Sequence, residues 1–448
     1  MRNREVNNLK ALSDKNTKKT NVSIILILAF MYCFYGINDY IDILICIFSL
    51  LIFIMNINSD TFYLMYFILI IFEPILTLPV LGGSFFRLYE ILFFLKIILK
   101  LKNGYKFKVD KISCLFAAVL LITGLFYQSY VGFFSLLINI IIITIIFQNY
   151  GDNSSDCYDL LYSIAIAVFF SCIYGFFRGA TINYGSFIRR TTTISDPNYS
   201  ALFLNIGLYS IINNPNIKKN IKTIMFITML AYLVLTVSIS GLICFVITLC
   251  IYFIVYKKYS NFKYILLIAV LMISLLIIPF DSNSIFYGYK ARINSMINGT
   301  SSITSGRTEI ASDYIKIFKK LGLPNQLFGG IKITDADVIH EYIGDESLAS
   351  HNSYIDMLFM TGIIGCLLIV GLFIYGISYL IIIFKKSYFA AANIALIKFI
   401  VLFFCINLSI FPFRYFVTFY MANIVFKKNN GGKNEGFLGG KRFIPISK

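Results

Sequence analysis

Long apolar runs, each about the length of a bilayer crossing and parted by short polar breaks, constrain this chain more than any other feature. A helix crosses the hydrocarbon core with about 20 mainly apolar residues, roughly 17 to 25 being workable. Lipid offers no partners to backbone N–H and C=O groups, so such runs read as helices. Candidate spans lie near 22–37, 41–57, 61–81, 85–101, 112–127, 130–147, 158–178, 198–212, 221–238, 239–256, 263–280, 353–384, 393–411 and 413–426. The predicted fold class is an all-α polytopic membrane protein of about fourteen (12–14) transmembrane helices with one large extracytoplasmic loop. The pair 221–238 and 239–256, and the final run split by Pro412, set the lower bound. Composition agrees, because 58% of residues are hydrophobic, only 14% are charged and the mean hydropathy is +0.79. Soluble proteins carry about a quarter charged residues.

The expected organisation follows from these runs. Residues 1–21 form a cytoplasmic basic tail, and 22–280 a bundle of about eleven helices with an outer loop at 179–197. Residues 281–352 form the large extracytoplasmic loop, 353–426 the last transmembrane helices and 427–448 a cytoplasmic tail. The basic N-terminus enters its apolar run with no small-residue cleavage site behind it, which reads as an anchor rather than a removable signal. Eight of nine cysteines lie inside apolar runs and Cys157 is alone in a polar loop, so neither a disulfide framework nor a zinc site is expected.

The net charge of +17 would suggest a nucleic-acid partner in a soluble protein. Position decides otherwise. With both termini inside, the inner segments hold 26 Lys and Arg and the outer ones twelve, an asymmetry that favours this orientation. The excess is then entirely cytoplasmic, and no nucleic acid is expected. Lysine and arginine divide differently: five of 29 lysines but seven of ten arginines (Arg87, Arg178, Arg189, Arg190, Arg292, Arg307, Arg414) fall outside. Arginine keeps its charge and forks onto phosphate oxygens, which points to an anionic ligand at the outer boundary. The alternative is that outer arginines snorkel to lipid headgroups or pair with Glu73, Glu90 or loop acids.

The large loop holds both histidines, His340 and His351. Within it, Ile310, Tyr314, Ile317, Phe318 and Leu321 share one face of a predicted amphipathic helix over 307–321, lying on the membrane surface or the bundle mouth. Arg307 stands at its start, where a helix N-terminus and a guanidinium together favour phosphate. The loop ends in His351-Asn352-Ser353, and Ser353 with Asp356 has capping-box spacing, predicting the next helix start at Ser353. The positive helix end would keep His351 neutral and able to accept a proton. Asp335, Asp337, His340 and Glu341 read as a solvated acidic loop rather than a cation site.

His351-Asn352, nine residues, Gly362, two residues and Gly365 resembles the H-N-x9-G-x2-G pattern of the bacterial O-antigen ligase and polymerase superfamily, with its WaaL-type ligases and Wzy-type polymerases. Arg189-Arg190 leading to Asp196-Pro197-Asn198, Ser238-Ile-Ser240-Gly241, Ser305-Gly306-Arg307 and Gly329-Gly330 add to the resemblance, which covers roughly 170–385. It implies an inverting C-type glycosyltransferase that uses no metal or other cofactor and takes an undecaprenyl-pyrophosphate-linked oligosaccharide as donor. Carried over by motif, His351 is the base, Arg307, Arg189, Arg190 and Arg292 hold pyrophosphate, and Asn352, Asp196 and Asn198 support them. Which of Arg189 and Arg190 touches substrate stays open, and Gly362 and Gly365 also suit plain helix packing. The implied partners are membrane lipids, the growing polysaccharide and a chain-length regulator, at the outer face of the cytoplasmic membrane. A repeat-unit polymerase is the leading expectation, a ligase the alternative and a lipid-linked-oligosaccharide transporter the third.

Overall fold

The computed structural model describes residues 22–78, 83–103, 154–183, 188–212, 214–255, 287–291, 307–331 and 352–368, with isolated positions within 138–146, at 294 and within 396–404. These residues are mainly helical: α1 (Val22–Tyr32), α2 (Asp39–Asn56), α3 (Thr61–Phe72), α4 (Phe86–Lys102), α5 (Ser154–Phe177), α6 (Pro197–Ile211), α7 (Lys219–Leu235), α8 (Ile239–Val255), α9 (Arg307–Lys320), α10 (Leu323–Phe328) and α11 (Ser353–Leu368). Helices α2 and, within α5, Tyr158–Phe177 are long and apolar enough to cross a membrane. Helices α1, α3, α8 and α11 are apolar but shorter within the described residues. The runs at 112–127, 263–280 and 413–426 lie outside the described residues, as do most of 130–147 and 393–411.

Helix α3 shows why this bundle needs lipid outside and hydrocarbon inside. All twelve of its residues, TFYLMYFILIIF, are buried. A helix apolar on every side has to be covered on every side. The Phe62 ring stacks on Tyr89 of α4 with centroids 4.7 Å apart, and α5 covers another flank. Helix α5 also packs on α6 and α7, and α6 on α8. The periphery is apolar too: Leu44, Ile47, Leu51 and Ile54 of α2 and Ile91, Leu95 and Ile98 of α4 are exposed. Such stripes are unfavourable in water and suited to acyl chains.

Three boundaries differ from the sequence expectation. The run 61–81 is helical only to Phe72, because Pro74 has no N–H to continue the helical ladder and its ring crowds the carbonyl one turn earlier. The chain then turns, and Thr77 bridges back to Ser84. The run 22–37 is helical only to Tyr32, after which turns lead to Asn38, whose side chain caps α2. The outer loop 179–197 is not all irregular: β1 (Thr181–Asn183) and β2 (Ile188–Arg190) form an antiparallel hairpin.

Polar cross-links gather at the two ends of the bundle. At one end Lys96 donates to the Ser59 carbonyl at 2.6 Å, Lys100 to the Tyr63 hydroxyl at 2.9 Å and Lys222 to the Asn214 carbonyl at 2.9 Å. At the other, Tyr35 donates to the Thr77 carbonyl, Arg178 to the Tyr35 carbonyl at 2.8 Å and Thr193 to the Ile71 carbonyl at 2.7 Å. The hairpin belongs to this second end. Between the ends, Gly207 lets α5, α6 and α7 approach closely, since a Cβ there would lie 2.8 Å from both Met229 Sδ and Val168 Cγ1. Gly207→Val should therefore destabilise the bundle by about 1–3 kcal/mol. Thermal unfolding in detergent checks this, and an unchanged midpoint would contradict it.

Candidate functional site

The site is built where α5, the hairpin and the α7–α8 turn meet. Helix α6 begins as its sequence dictates: the Asp196 carboxylate accepts from Asn198 N at 2.6 Å and Tyr199 N at 3.1 Å, and Pro197 fills the first helical position. Asn198 thus stands in the first turn beside β2. Strand alternation turns neighbouring side chains to opposite faces, so Arg189 is 4% exposed while Arg190 shares the other face with exposed Ile188.

Arg189 Nε donates to the Thr236 carbonyl at 2.8 Å and Nη2 to Asn198 Oδ1 at 2.9 Å. Thr236 closes α7, so this carbonyl belongs to the negative end of a helix, where a cation is favoured. Asn198 Oδ1 also accepts from Ser238 Oγ at 3.0 Å. Ser238 Oγ in turn accepts from Gly241 N at 3.2 Å and lies 3.3 Å from Ser240 Oγ. The intervening Val237 has φ +49°, a sparsely populated region for a β-branched residue that the surrounding bonds must hold. The large loop joins here, because Tyr289 donates to the Val234 carbonyl at 2.7 Å.

A second unit carries the motif that ends the large loop. The apolar face of α9 (Tyr314, Ile317, Phe318) packs on Ile355 and Phe359 of α11, so it faces another helix rather than the membrane surface. The Tyr314 and Phe318 rings meet Phe359 edge-on at 5.7 and 5.5 Å. Burial, then the nearby Asp356 carboxylate, push the Tyr314 hydroxyl up to about 12. Chain reversal after α10 is made by Gly329, at φ +74°, against Gly362 of α11, at φ +65°. A side chain on Gly329 would overlap the Met360 carbonyl, and one on Gly362 the Leu327 carbonyl. The Phe359 and Met360 carbonyls accept from Ile331 N at 3.2 Å and Gly330 N at 3.0 Å. Gly329-Gly330 and Gly362 are thus two halves of one backbone contact.

The cap of α11 is one residue earlier than the capping-box spacing implied. Asn352 Oδ1 accepts from Tyr354 N at 2.9 Å and Ile355 N at 3.4 Å, while Ser353 is buried. Asn wins because its side chain reaches these N–H groups from outside the first turn. His351 is the residue just before this cap and lies outside the described residues, as do Arg292, Asp335, Asp337, His340 and Glu341. Arg307 is the first residue of α9.

The outer arginines now separate. Arg87 pairs with buried Glu90 at 2.7 Å, as the ion-pair alternative expects, and Arg178 holds a loop carbonyl. Arg189 is enclosed by polar partners. The Arg190 side chain, among the described residues, makes no hydrogen bond or ion pair. The sequence flagged the Arg189–Asn198 run and the Ser238 motif as separate pieces, and the structure joins Arg189, Asn198 and Ser238. Thr236 and Tyr289 carried no sequence signal, since their parts depend on a helix end and a long-range contact. Among the described residues no cluster of metal-ligating side chains occurs.

Residues 224–370 match a protein-family model described as O-Antigen ligase. No curated protein matches the chain. The matched segment contains Ser238, Arg307, His351, Gly362 and Gly365, whereas Arg189 and Asn198 precede it and reach it through Thr236 and Ser238.

Gly329→Ala and Gly362→Ala should each undock α9–α10 from α11, because a left-handed residue costs about 1–2 kcal/mol without glycine and the added methyl meets backbone. Protease cleavage within 307–331 of the protein purified in detergent should rise sharply in both variants. Wild-type protection would contradict the contact.

Proposed function

We propose that this chain is a polymerase of the O-antigen ligase and polymerase superfamily, which residues 224–370 match, joining undecaprenyl-pyrophosphate-linked oligosaccharide repeat units at the outer face of the cytoplasmic membrane. Family members are glycosyltransferase-like enzymes acting on lipid-linked glycans. The observation that carries the reading is the Arg189–Asn198–Ser238 chain of hydrogen bonds, which ties an arginine-bearing hairpin to the family segment at one end of an apolar bundle. In this reading that end faces outward, and the lysine-rich end of Lys96, Lys100 and Lys222 faces the cytoplasm.

The proposed reaction needs no redox step. An acceptor-sugar hydroxyl attacks the anomeric carbon of the donor, the carbon–oxygen bond to pyrophosphate breaks, and undecaprenyl pyrophosphate leaves. In-line attack inverts the anomeric centre. His351, kept neutral by the helix start behind it, takes the hydroxyl proton. Arg307 and one arginine of the Arg189/Arg190 pair, with Arg292, meet the negative charge that grows on the leaving group, where fixed cations lower the barrier most. Asn352 holds the end of the helix that follows His351, and a chain-length regulator is a partner of the finished assembly.

The ligase reading is second, and the character of the matched family as O-Antigen ligase favours it. Deleting the gene separates the two: single repeat units on the final acceptor mark a polymerase, and polymer stranded on its lipid carrier marks a ligase. His351→Ala, Arg307→Ala and an Arg189/Arg190 double substitution should abolish polymer ladders while membrane expression persists. Wild-type ladders from all three would overturn the enzyme assignment.

A further inference from the structure

Arg189 and Arg190 are adjacent and chemically identical, yet they sit in opposite environments. Arg189 is 4% exposed, and Nε and Nη2 are committed to the Thr236 carbonyl and Asn198 Oδ1. For Arg189 to fork onto a phosphate it would have to leave a buried helix-terminal carbonyl and an amide oxygen with fewer donors, a loss comparable to what a charged hydrogen bond gains. Asn198 is saturated in the same way, since its two acceptor positions serve Arg189 and Ser238. Ser238 Oγ completes the series at Gly241 N, in the first turn of α8. One side chain thereby ties β2 to the starts of α6 and α8 and to the last carbonyl of α7.

Arg190 is on the reverse face of the same strand, beside Ile188, which is 53% exposed. Its side chain makes no hydrogen bond or ion pair among the described residues. Its guanidinium can accept a new anionic partner without breaking an existing bond.

We propose that Arg189 is a positioning residue, whose clasp on Asn198 and Thr236 fixes the hairpin against the Ser238–Ser240 turn, and that Arg190 is the arginine of the pair that contacts the donor's pyrophosphate. This rests on the lipid-pyrophosphate donor of the preceding reading. It divides the pair by role: Arg189 sets geometry, and Arg190 binds.

The test uses the full-length protein purified in detergent and has two independent arms. In the first, thermal midpoints are measured for Arg189→Ala, Asn198→Ala and the double variant. Residues in one clasp couple, so the double variant should lose no more than the larger single loss. Losses that simply add would overturn the clasp. Should Arg189→Ala fail to fold, Asn198→Ala with Ser238→Ala forms the same cycle. In the second arm, turnover of an undecaprenyl-pyrophosphate-linked repeat unit is followed. Asn198→Ala should lower kcat about tenfold with KM nearly unchanged, the mark of misalignment, whereas Arg190→Gln should raise KM about tenfold, the mark of lost binding. Wild-type KM in Arg190→Gln, or a raised KM confined to the Arg189 and Asn198 variants, would overturn the division. A wild-type protein that releases no undecaprenyl pyrophosphate would overturn the donor reading, and with it Arg190's role, while the midpoints still decide the clasp.

Discussion

A guanidinium inside an apolar bundle must have its N–H groups met, because an unpartnered buried charge costs far more than any single contact returns. Arg189 satisfies that demand with the Thr236 carbonyl and Asn198, and these bonds determine where several elements lie. They hold β2 against α6, bind the start of α6 to the turn between α7 and α8, and steady Val237 in its left-handed conformation. The pieces are far apart in sequence, and Arg189 lies outside the segment that matches the O-antigen ligase family. The family segment is therefore completed by residues that precede it.

The second unit obeys a different constraint. Lipid and core burial both demand that carbonyls be partnered, and positive φ at Gly362 would leave the Phe359 and Met360 carbonyls without ordinary helical donors. The loop supplies Ile331 and Gly330 N–H instead, and only glycine at 329 and 362 allows the chains so close. Helix α9 is thereby packed on α11 through Tyr314, Phe318 and Phe359, just beyond the cap that follows His351. The two glycine motifs are one contact seen from both sides, and the same contact fixes α9, whose first residue is Arg307, on the helix that His351 precedes.

Much of this was legible in the sequence, for physical reasons that vary by element. Apolar length fixed α5, α7 and α8 to within a few residues of 158–178, 221–238 and 239–256, because length and hydropathy alone govern a bilayer crossing. The start of α6 lies within a residue of the expected 198, whereas Asp196, expected only to support the site, turns out to be the cap of that helix. By contrast, α3 stops at Phe72 on account of a proline inside an otherwise uniform apolar run. The hairpin was missed because three-residue strands carry almost no periodic signal. The cap at Asn352 was placed one residue late, because two polar residues compete and tertiary burial of Ser353 decides between them. The difference between Arg189 and Arg190 was invisible, since it depends on which face of a short strand meets α6.

The proposed activity is transfer of a glycan from a lipid pyrophosphate at the outer end of this bundle, with His351 as base. Incubating the purified protein with an undecaprenyl-pyrophosphate-linked repeat unit and quantifying released undecaprenyl pyrophosphate tests it most directly. Release matched mole for mole by new glycosidic linkages of inverted anomeric configuration, and lost in His351→Ala, is the predicted result. Equal release and linkage formation by His351→Ala and wild type would contradict it.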